Sequence, residues 1–269
     1  MRLGVLTSVA TRHRYFARRL ADAFDVVAVA YESTGYDHAS VGDADLTPEE
    51  RQIVLEHFAG RSVEEERRFG AHAAALEAND RRRIRYLSPG ELNATETVGF
   101  LEIAGVEVVA VFGTNLIKRP LLDRFAGRLV NLHLGLSPYY RGTATNFYPL
   151  LYEEPQFVGA TVHLIDGGID SGPILRHARP AIVRGDTPHT IGCKAIVAGV
   201  DAMVAVLRGF ARGAVQAVPQ WAVEHSRLCL RRDYHPRQVV ELHHKWRAGL
   251  IESYLQRAAD VSGKVKLVE

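Results

Sequence analysis

Asn131 and His133 stand two residues apart at the end of the apolar run Leu129-Val130. In an extended chain that spacing points both side chains to one side. Two carboxylates, Asp166 and Asp170, follow in a glycine-rich loop, Asp166-Gly167-Gly168-Ile169-Asp170-Ser171-Gly172. An amide, an imidazole and a carboxylate suit acyl transfer. A histidine near neutral pKa takes a proton from an attacking amine or stabilises a developing oxyanion, worth roughly 10²–10⁴-fold. An asparagine N–H aimed at that oxyanion adds on the order of 10²–10³ in rate, and a nearby carboxylate raises the histidine pKa and holds the ring in place. Gly-x-Ser-x-Gly is absent, which favours direct transfer through a tetrahedral intermediate over an acyl-enzyme. The same residue types also serve simply to bond loop backbone, and spacing alone leaves both readings open.

Such residues need a scaffold that delivers them, and the chain has the pattern of one. Apolar runs of strand length alternate with helical periodicity, the mark of a parallel sheet flanked by helices. Leu3 to Leu6 read as a first strand, Phe16, Leu20 and Phe24 as one helix face, and Val26 to Ala30 as a second strand. The rhythm breaks over 36–80, where Thr47-Pro48-Glu49-Glu50 and Ser62-Val63-Glu64-Glu65 both carry helix-start signals, so a loop and two inserted helices are expected. Alternation resumes with Ile84 to Leu87, a helix capped by Asn93, strands over 106–112 and 128–131, then 158–165 and 174–182, and a long helix from Thr187-Pro188. Beyond a boundary near 215, a hairpin over 221–230 and a helix from His235-Pro236 to about Ala258 read as a small C-terminal appendage. The fold class expected is α/β, a doubly wound, mostly parallel, Rossmann-like sheet. In such sheets function gathers at the carboxyl ends of the strands, and three ends are polar here: Gly113-Thr114-Asn115, Asn131-Leu132-His133 and the Asp166–Gly172 loop.

Composition narrows the function classes. The 269 residues hold 33 basic and 31 acidic side chains, a net charge of +2, with 47% hydrophobic and 24% charged residues. That is an ordinary globular balance, without the basic excess of a nucleic-acid partner. No uninterrupted apolar stretch reaches the roughly 18–20 residues of a membrane span, no signal cleavage site follows the first apolar run, and Cys193 and Cys229 form no Cys-x-x-Cys pair. The expectation is a cytoplasmic enzyme with no membrane partner, no nucleic acid and no disulfide framework. His243 and His244 are adjacent, so on a helix they diverge by about 100° rather than converge on a metal.

Two segments resemble the folate-dependent formyltransferases. Asn131-x-His133, with Pro138 and Arg141-Gly142 beyond, is similar to their active-site stretch, and Val158-Gly159-Ala160-Thr161-Val162-His163-Leu164-Ile165-Asp166 with Gly168 to Ile174 resembles their second signature. The resemblance spans about residues 1–210. It implies that Asn131, His133 and Asp170 form the catalytic trio. It also implies N10-formyltetrahydrofolate as cofactor, its pterin held between Gly113, Thr114, Asn115, Leu116 and Ile117 and the wall of Ile165, Asp166, Gly167 and Gly168. No metal is implied, and the other substrate is a small-molecule amine. The loop after the first strand, Thr7 to His13, lacks the glycines of the glycinamide ribonucleotide enzymes. The tail is shorter than the methionyl-tRNA enzymes' barrel, and the hydrolases' N-terminal regulatory domain is not seen. The compact enzymes that formylate amino sugars, often nucleotide-linked, resemble it best. A formyltetrahydrofolate hydrolase and a non-catalytic folate- or nucleotide-binding module are the alternatives.

Several residues carry two readings. Tyr140, Arg141 and Asn146 are candidate substrate contacts, Arg141 through its planar fork or else as a cap on a carbonyl. Asp166 faces the pterin or closes an Asx turn. His163 is catalytic or a satisfied core histidine. The 36–80 segment is a lid over the amine site or a homodimer contact. Trp221 and Trp246 stack a base or anchor the tail.

Overall fold

The computed structural model describes residues 1–33 and 45–269. Their seven-stranded sheet comprises β1 (Arg2–Ser8), β2 (Asp25–Glu32), β3 (Arg83–Leu87), β4 (Val108–Phe112), β5 (Leu129–His133), β7 (Ala160–Leu164) and β8 (Ile174–Ala178), in the order β3-β2-β1-β4-β5-β7-β8. The first five are parallel, while β7 runs antiparallel to β5, and β8 to β7. The strand order reverses between β1 and β4. The α/β, doubly wound, mostly parallel class expected from the alternation is the class found. The buried central strands carry the near-continuous apolar runs that a sheet covered on both faces requires.

Helices α1 (Thr11–Ala23) and α6 (Pro188–Ala211) cover one face. Helices α3 (Thr95–Ile103) and α4 (Leu121–Arg124) cover the other. The buried side of α1 is His13, Phe16, Ala17 and Leu20, the spacing of one helix face. Helix α6 starts at a Thr187–Thr190 capping box with proline in its first turn. It presses so closely on the sheet that a Cβ at Gly199 would lie 2.9 Å from Leu132 and 2.8 Å from Ala160. Leu132 therefore faces α6, and Asn131 and His133 point to the opposite face of β5. Helix α6 is interrupted by Lys194 and Asp201, in line with the absence of an uninterrupted apolar span, yet by length and mean hydropathy it is apolar enough to cross a membrane. Most of its apolar window is buried inside the protein, against β7 and β8.

The inserted region departs from expectation. Residues 34–44 of the expected loop lie outside the described residues. From Pro48 to Phe69 there is one helix, α2, not two, and its start carries the expected Thr47–Glu50 capping box. The second start signal, Ser62, donates its hydroxyl back to Phe58 O at 3.1 Å. A serine can thus be satisfied within a helix and leave it unbroken. Asn93 likewise does not cap α3, whose N-cap is Ala94 without a side-chain bond. Its amide bridges Leu116 O (2.9 Å) and Lys118 N (2.6 Å), tying down the loop after β4.

No hairpin forms beyond Val215 among the described residues. Instead β9 (Arg227–Cys229) pairs in parallel with β6 (Tyr140–Gly142), a strand on the loop behind His133. The expected final helix is two, α7 (Arg237–Arg247) and α8 (Leu250–Gly263), separated at Gly249, whose φ of 95° no helical residue adopts. The short α5 (Tyr148–Leu151) joins them in a third apolar cluster, which also gathers Tyr140, Cys229 and Leu250.

Candidate active site

On β5 the face opposite α6 changes character within five residues: Leu129 is buried among apolar side chains, then come Asn131 and His133. Across the antiparallel pairing, His163 stands opposite Asn131 and Thr161 opposite His133, so four polar residues share the face. Because β7 is antiparallel, its carboxyl end lies beside the start of β5, where Ile165 N bonds Leu129 O at 2.9 Å. The Asp166–Gly172 loop is therefore not a third carboxyl end at the same edge, as the sequence suggested. It curls back over the face, and that turn brings Asp170 to the pair.

Asp170 is the hub. Its Oδ2 lies 3.3 Å from His133 Nδ1 and accepts from Gly142 N at 2.9 Å. Its Oδ1 accepts from Asn131 Nδ2 at 3.3 Å and lies 3.4 Å from His163 Nε2. The Asp170 backbone is left-handed, φ 47°, a conformation that a non-glycine residue holds only when its surroundings enforce it. Gly142 has φ 98°, and a Cβ there would lie 2.0 Å from Cys229 O, so only glycine can present this N–H beside β9. Burial alone would raise the Asp170 carboxyl. The imidazoles of His133 and His163 and the Gly142 N–H outweigh it and hold the group well below the ordinary carboxylate range.

His133 is 5% exposed. Its Nε2 lies 2.9 Å from the Tyr140 carbonyl, which can only accept, so the neutral ring carries its proton on Nε2 and turns the free Nδ1 toward Asp170. Burial pushes its pKa below the usual histidine value, against the opposing pull of Asp170 and the Tyr140 carbonyl. The same logic orients His163: Nδ1–H donates to Leu164 O at 2.8 Å, and Nε2 accepts from Asn131 Nδ2 at 3.0 Å. The result is a carboxylate, an amide and two imidazoles with a neutral, proton-ready nitrogen on His133.

The two candidate cofactor walls share a floor. Ile117 and Ile165 pack on the same cluster of Leu121, Phe125 and Leu129. Gly113 and Thr114 follow β4 directly, and Leu116 is 52% exposed. Asn115 is pinned through its N–H and side-chain amide to the buried carboxylate of Glu32 at 2.8 and 2.9 Å. On the other wall a side chain at Gly167 would meet nothing within 4 Å, so open space borders that backbone. Asp166 takes the turn role: its Oδ1 accepts from Gly168 N (2.9 Å) and Ser171 Oγ (2.8 Å).

The candidate substrate contacts divide. The Tyr140 side chain is buried at 1% exposure with its hydroxyl bonded to Glu154, so it does not reach the site except through its carbonyl. Asn146 accepts from Gly159 N at 2.9 Å and anchors the approach to β7. Two of the three keep unpartnered nitrogens: the Arg141 guanidinium makes no hydrogen bond or ion pair among the described residues, with its Nε buried without a partner, and Asn146 Nδ2 is also buried without one. Of these, Arg141 borders open space. It lines a cavity of about 260 Å³ with Pro138, Ser171, Gln220, Trp221 and Ser226. Sequence reasoning missed Glu32 and Gln220. A carboxylate ending an apolar strand is a faint signal for the first. Nothing in the spacing marks the second.

The family described as formyl transferase matches residues 17–207, well over half of the chain, and the chain belongs to that family. A methionyl-tRNA formyltransferase of Streptomyces coelicolor is 33% identical over 112 residues, 42% of this chain and 36% of its own length. A phosphoribosylglycinamide formyltransferase of Mycobacterium tuberculosis is 33% identical over 115 residues, 43% of this chain and 53% of its own. These alignments cover about a third to a half of the curated relatives. The solved N-formyltransferase of Helicobacter canadensis, in complex with folinic acid and dTDP-3-aminofucose, shares the fold with a TM-score of 0.52 at 18% identity, over 87% of this chain and 72% of that one.

Proposed function

We propose that the chain transfers a formyl group from N10-formyltetrahydrofolate to the primary amine of a small molecule that carries an anionic group, an amino sugar phosphate or nucleotide-linked amino sugar being the class in view. The observation that carries it is the convergence of Asn131, His133 and Asp170 within 3.3 Å, from positions 39 residues apart in the chain. Family membership supports the reaction, and the unpaired Arg141 guanidinium beside the site supports the anionic acceptor.

The folate, when bound, supplies a formyl carbonyl. Ile117 and Ile165 fit as its apolar floor, with the backbone of Gly113 to Leu116 and of Asp166 to Gly168 as edges. Asn131 turns one Nδ2–H from its internal partners to the carbonyl oxygen, where charge develops on attack. His133 Nδ1 takes up the proton that the attacking amine releases, passed across Asp170 Oδ2 at 3.3 Å. The imidazolium so formed has both N–H groups satisfied, by Asp170 and by the Tyr140 carbonyl. The site is thus built to hold the ring neutral before attack and charged after it, and the same proton would pass to N10 of the tetrahydrofolate as its bond to the formyl carbon breaks, returning His133 to the neutral form.

The test is formylation of a panel of amino sugar phosphates, nucleotide-linked amino sugars and neutral amines, with formate release followed in parallel. Formylated product that disappears in the His133→Ala protein supports the reading. Formate release without any amine makes the chain a hydrolase, and folate binding without turnover on any amine makes it a binding module.

A further inference from the structure

Asn131, His133, Asp170 and both candidate cofactor walls lie inside the family match, which ends at residue 207. Beyond it, Val218 is locked to β8 by a reciprocal pair of backbone bonds with Ile174, both 2.8 Å. Two residues on, the half-buried Gln220 uses its one amide nitrogen twice: Nε2 donates to Asp170 O at 2.7 Å and to Gly172 O at 3.0 Å. A primary amide has two N–H bonds, and both are spent on the loop that carries the hub carboxylate. We infer that Gln220 is a positioning residue for Asp170, so that the segment after residue 207 completes the active site.

The physical argument begins with the backbone of Asp170. A left-handed φ of 47° on an aspartate is sparsely populated and persists only when over-determined. The carboxylate bonds to Asn131 and Gly142 hold the side chain from the front. The Gln220 staple holds the main chain from behind, on both sides of Ser171. Release it, and the aspartate relaxes toward common backbone conformations, swinging Oδ2 away from His133 Nδ1. Positioning errors of this size, about 1 Å, cost on the order of 10²-fold in rate. Gln220 itself touches neither His133 nor Asn131, and its effect is exerted through Asp170.

The inference rests on the catalytic reading of Asp170, and the experiment separates the two. Gln220→Glu keeps the shape and replaces the donor by an acceptor facing two carbonyls; Gln220→Ala removes it. Both should lower kcat by roughly ten- to a hundredfold with the folate KM unchanged. They should also move the acid limb of the kcat pH profile down, since Asp170 no longer raises the His133 pKa. Gln220→Lys, which restores N–H donors at similar reach, should recover part of what Gln220→Ala loses. Thermal unfolding of each variant establishes that the fold persists, and Gln220→Ala supplies the answer if Gln220→Glu does not fold. Full kcat and an unmoved pH profile in Gln220→Ala, alongside an inactive Asp170→Asn, overturn the inference and leave the proposed function standing. Full activity in Asp170→Asn overturns the proposed function itself.

Discussion

Two polar places at the sheet's edge deserve to be set side by side. One is the N-terminus of α1, at the reversal of strand order, where open α/β sheets hold ligand phosphates against helix N–H groups. The other is the Asp170 face of β5. At the first, α2 brings its own anions: Glu65 pairs with Arg12 at 2.6 Å and lies 4.0 Å from Arg61, and Glu66 accepts from Thr11 Oγ1 at 3.0 Å. At the second, one cation is left over, the Arg141 guanidinium on the cavity wall. Ion pairs with α2 fill part of the first place, although Arg14 Nε in the same first turn of α1 is also buried without a partner; on the cavity wall, the unpaired Arg141 nitrogen bears a cost that a ligand can relieve. Under the proposed function the acceptor's anion would lie on the Arg141 side, where the guanidinium borders a cavity, while the inserted helix α2 pairs its carboxylates with the α1 end.

The strongest way to break this contrast is Asp170→Asn. The amide keeps the shape, loses the charge that balances the imidazolium, and puts an N–H where Gly142 N now donates. Loss of about 10³-fold or more in kcat is expected, in line with removing a buried acid that orients a catalytic histidine, while circular dichroism stays native. Next comes Arg141→Ala. Its expected signature is a KM for an anionic amine raised roughly ten- to a hundredfold, the scale of a lost charged hydrogen bond, with KM for a neutral amine unchanged. An equal rise for both would show that Arg141 shapes the loop and reads no charge.

How much of this was open to sequence reading follows from the range of the forces involved. Strands β1 to β5, α1 and the start of α6 announce themselves because burial repeats with the local period of the chain. Asn131 and His133 are legible for the same reason, being two residues apart on one strand. Asp170 needed the family resemblance, since its approach depends on β7 reversing direction and the loop folding back. Tyr140 and Asn146 show the limit of such reading: a polar residue near a catalytic motif looks the same whether its side chain bonds the protein, as the Tyr140 hydroxyl and Asn146 Oδ1 do, or faces a ligand. Gln220, fifty residues from its partner, acts through a tertiary contact that leaves no periodic trace. The two-helix insertion and the C-terminal hairpin failed for a related reason. A serine that bonds its own helix mimics a cap, and a lone strand that finds a partner eighty-seven residues away mimics half a hairpin.

A smaller effect sharpens the α1 side of the comparison. Glu65→Gln keeps the volume and removes the charge that two arginines share. The Glu65 side chain is 10% exposed, so Arg12 is left with reduced compensation in a largely dry site. A loss of about 1–3 kcal/mol in unfolding free energy is expected, read from urea denaturation, with kcat and both KM values unchanged. A comparable fall in kcat would move α2 from structural support into the reaction.

Acid acts on the two regions by different routes. On the proposed mechanism His133 must begin neutral, and burial holds its pKa below the ordinary 6.5. The acid limb of kcat/KM should therefore lie below pH 6.5, and a limb at or above that value contradicts the assignment of Nδ1 as the proton acceptor. Where α2 meets α6, His57 and His189 face each other with ring centroids 4.5 Å apart, and burial lowers them to about 3 and about 4. The unfolded chain binds protons at these histidines from about pH 6.5 downward, whereas the folded chain resists until its lowered values are reached. Between those limits the unfolded state holds more protons, so stability is full above pH 6.5 and falls as the pH drops toward 4. Urea midpoints measured at pH 7, 6 and 5 should decline ahead of carboxylate titration, and His57→Phe should flatten that slope while leaving the kcat/KM limb in place. If instead His57→Phe moved the limb, the α2–α6 contact would be coupled to the site, and the separation between a region that closes on itself and one that waits for a ligand would not hold.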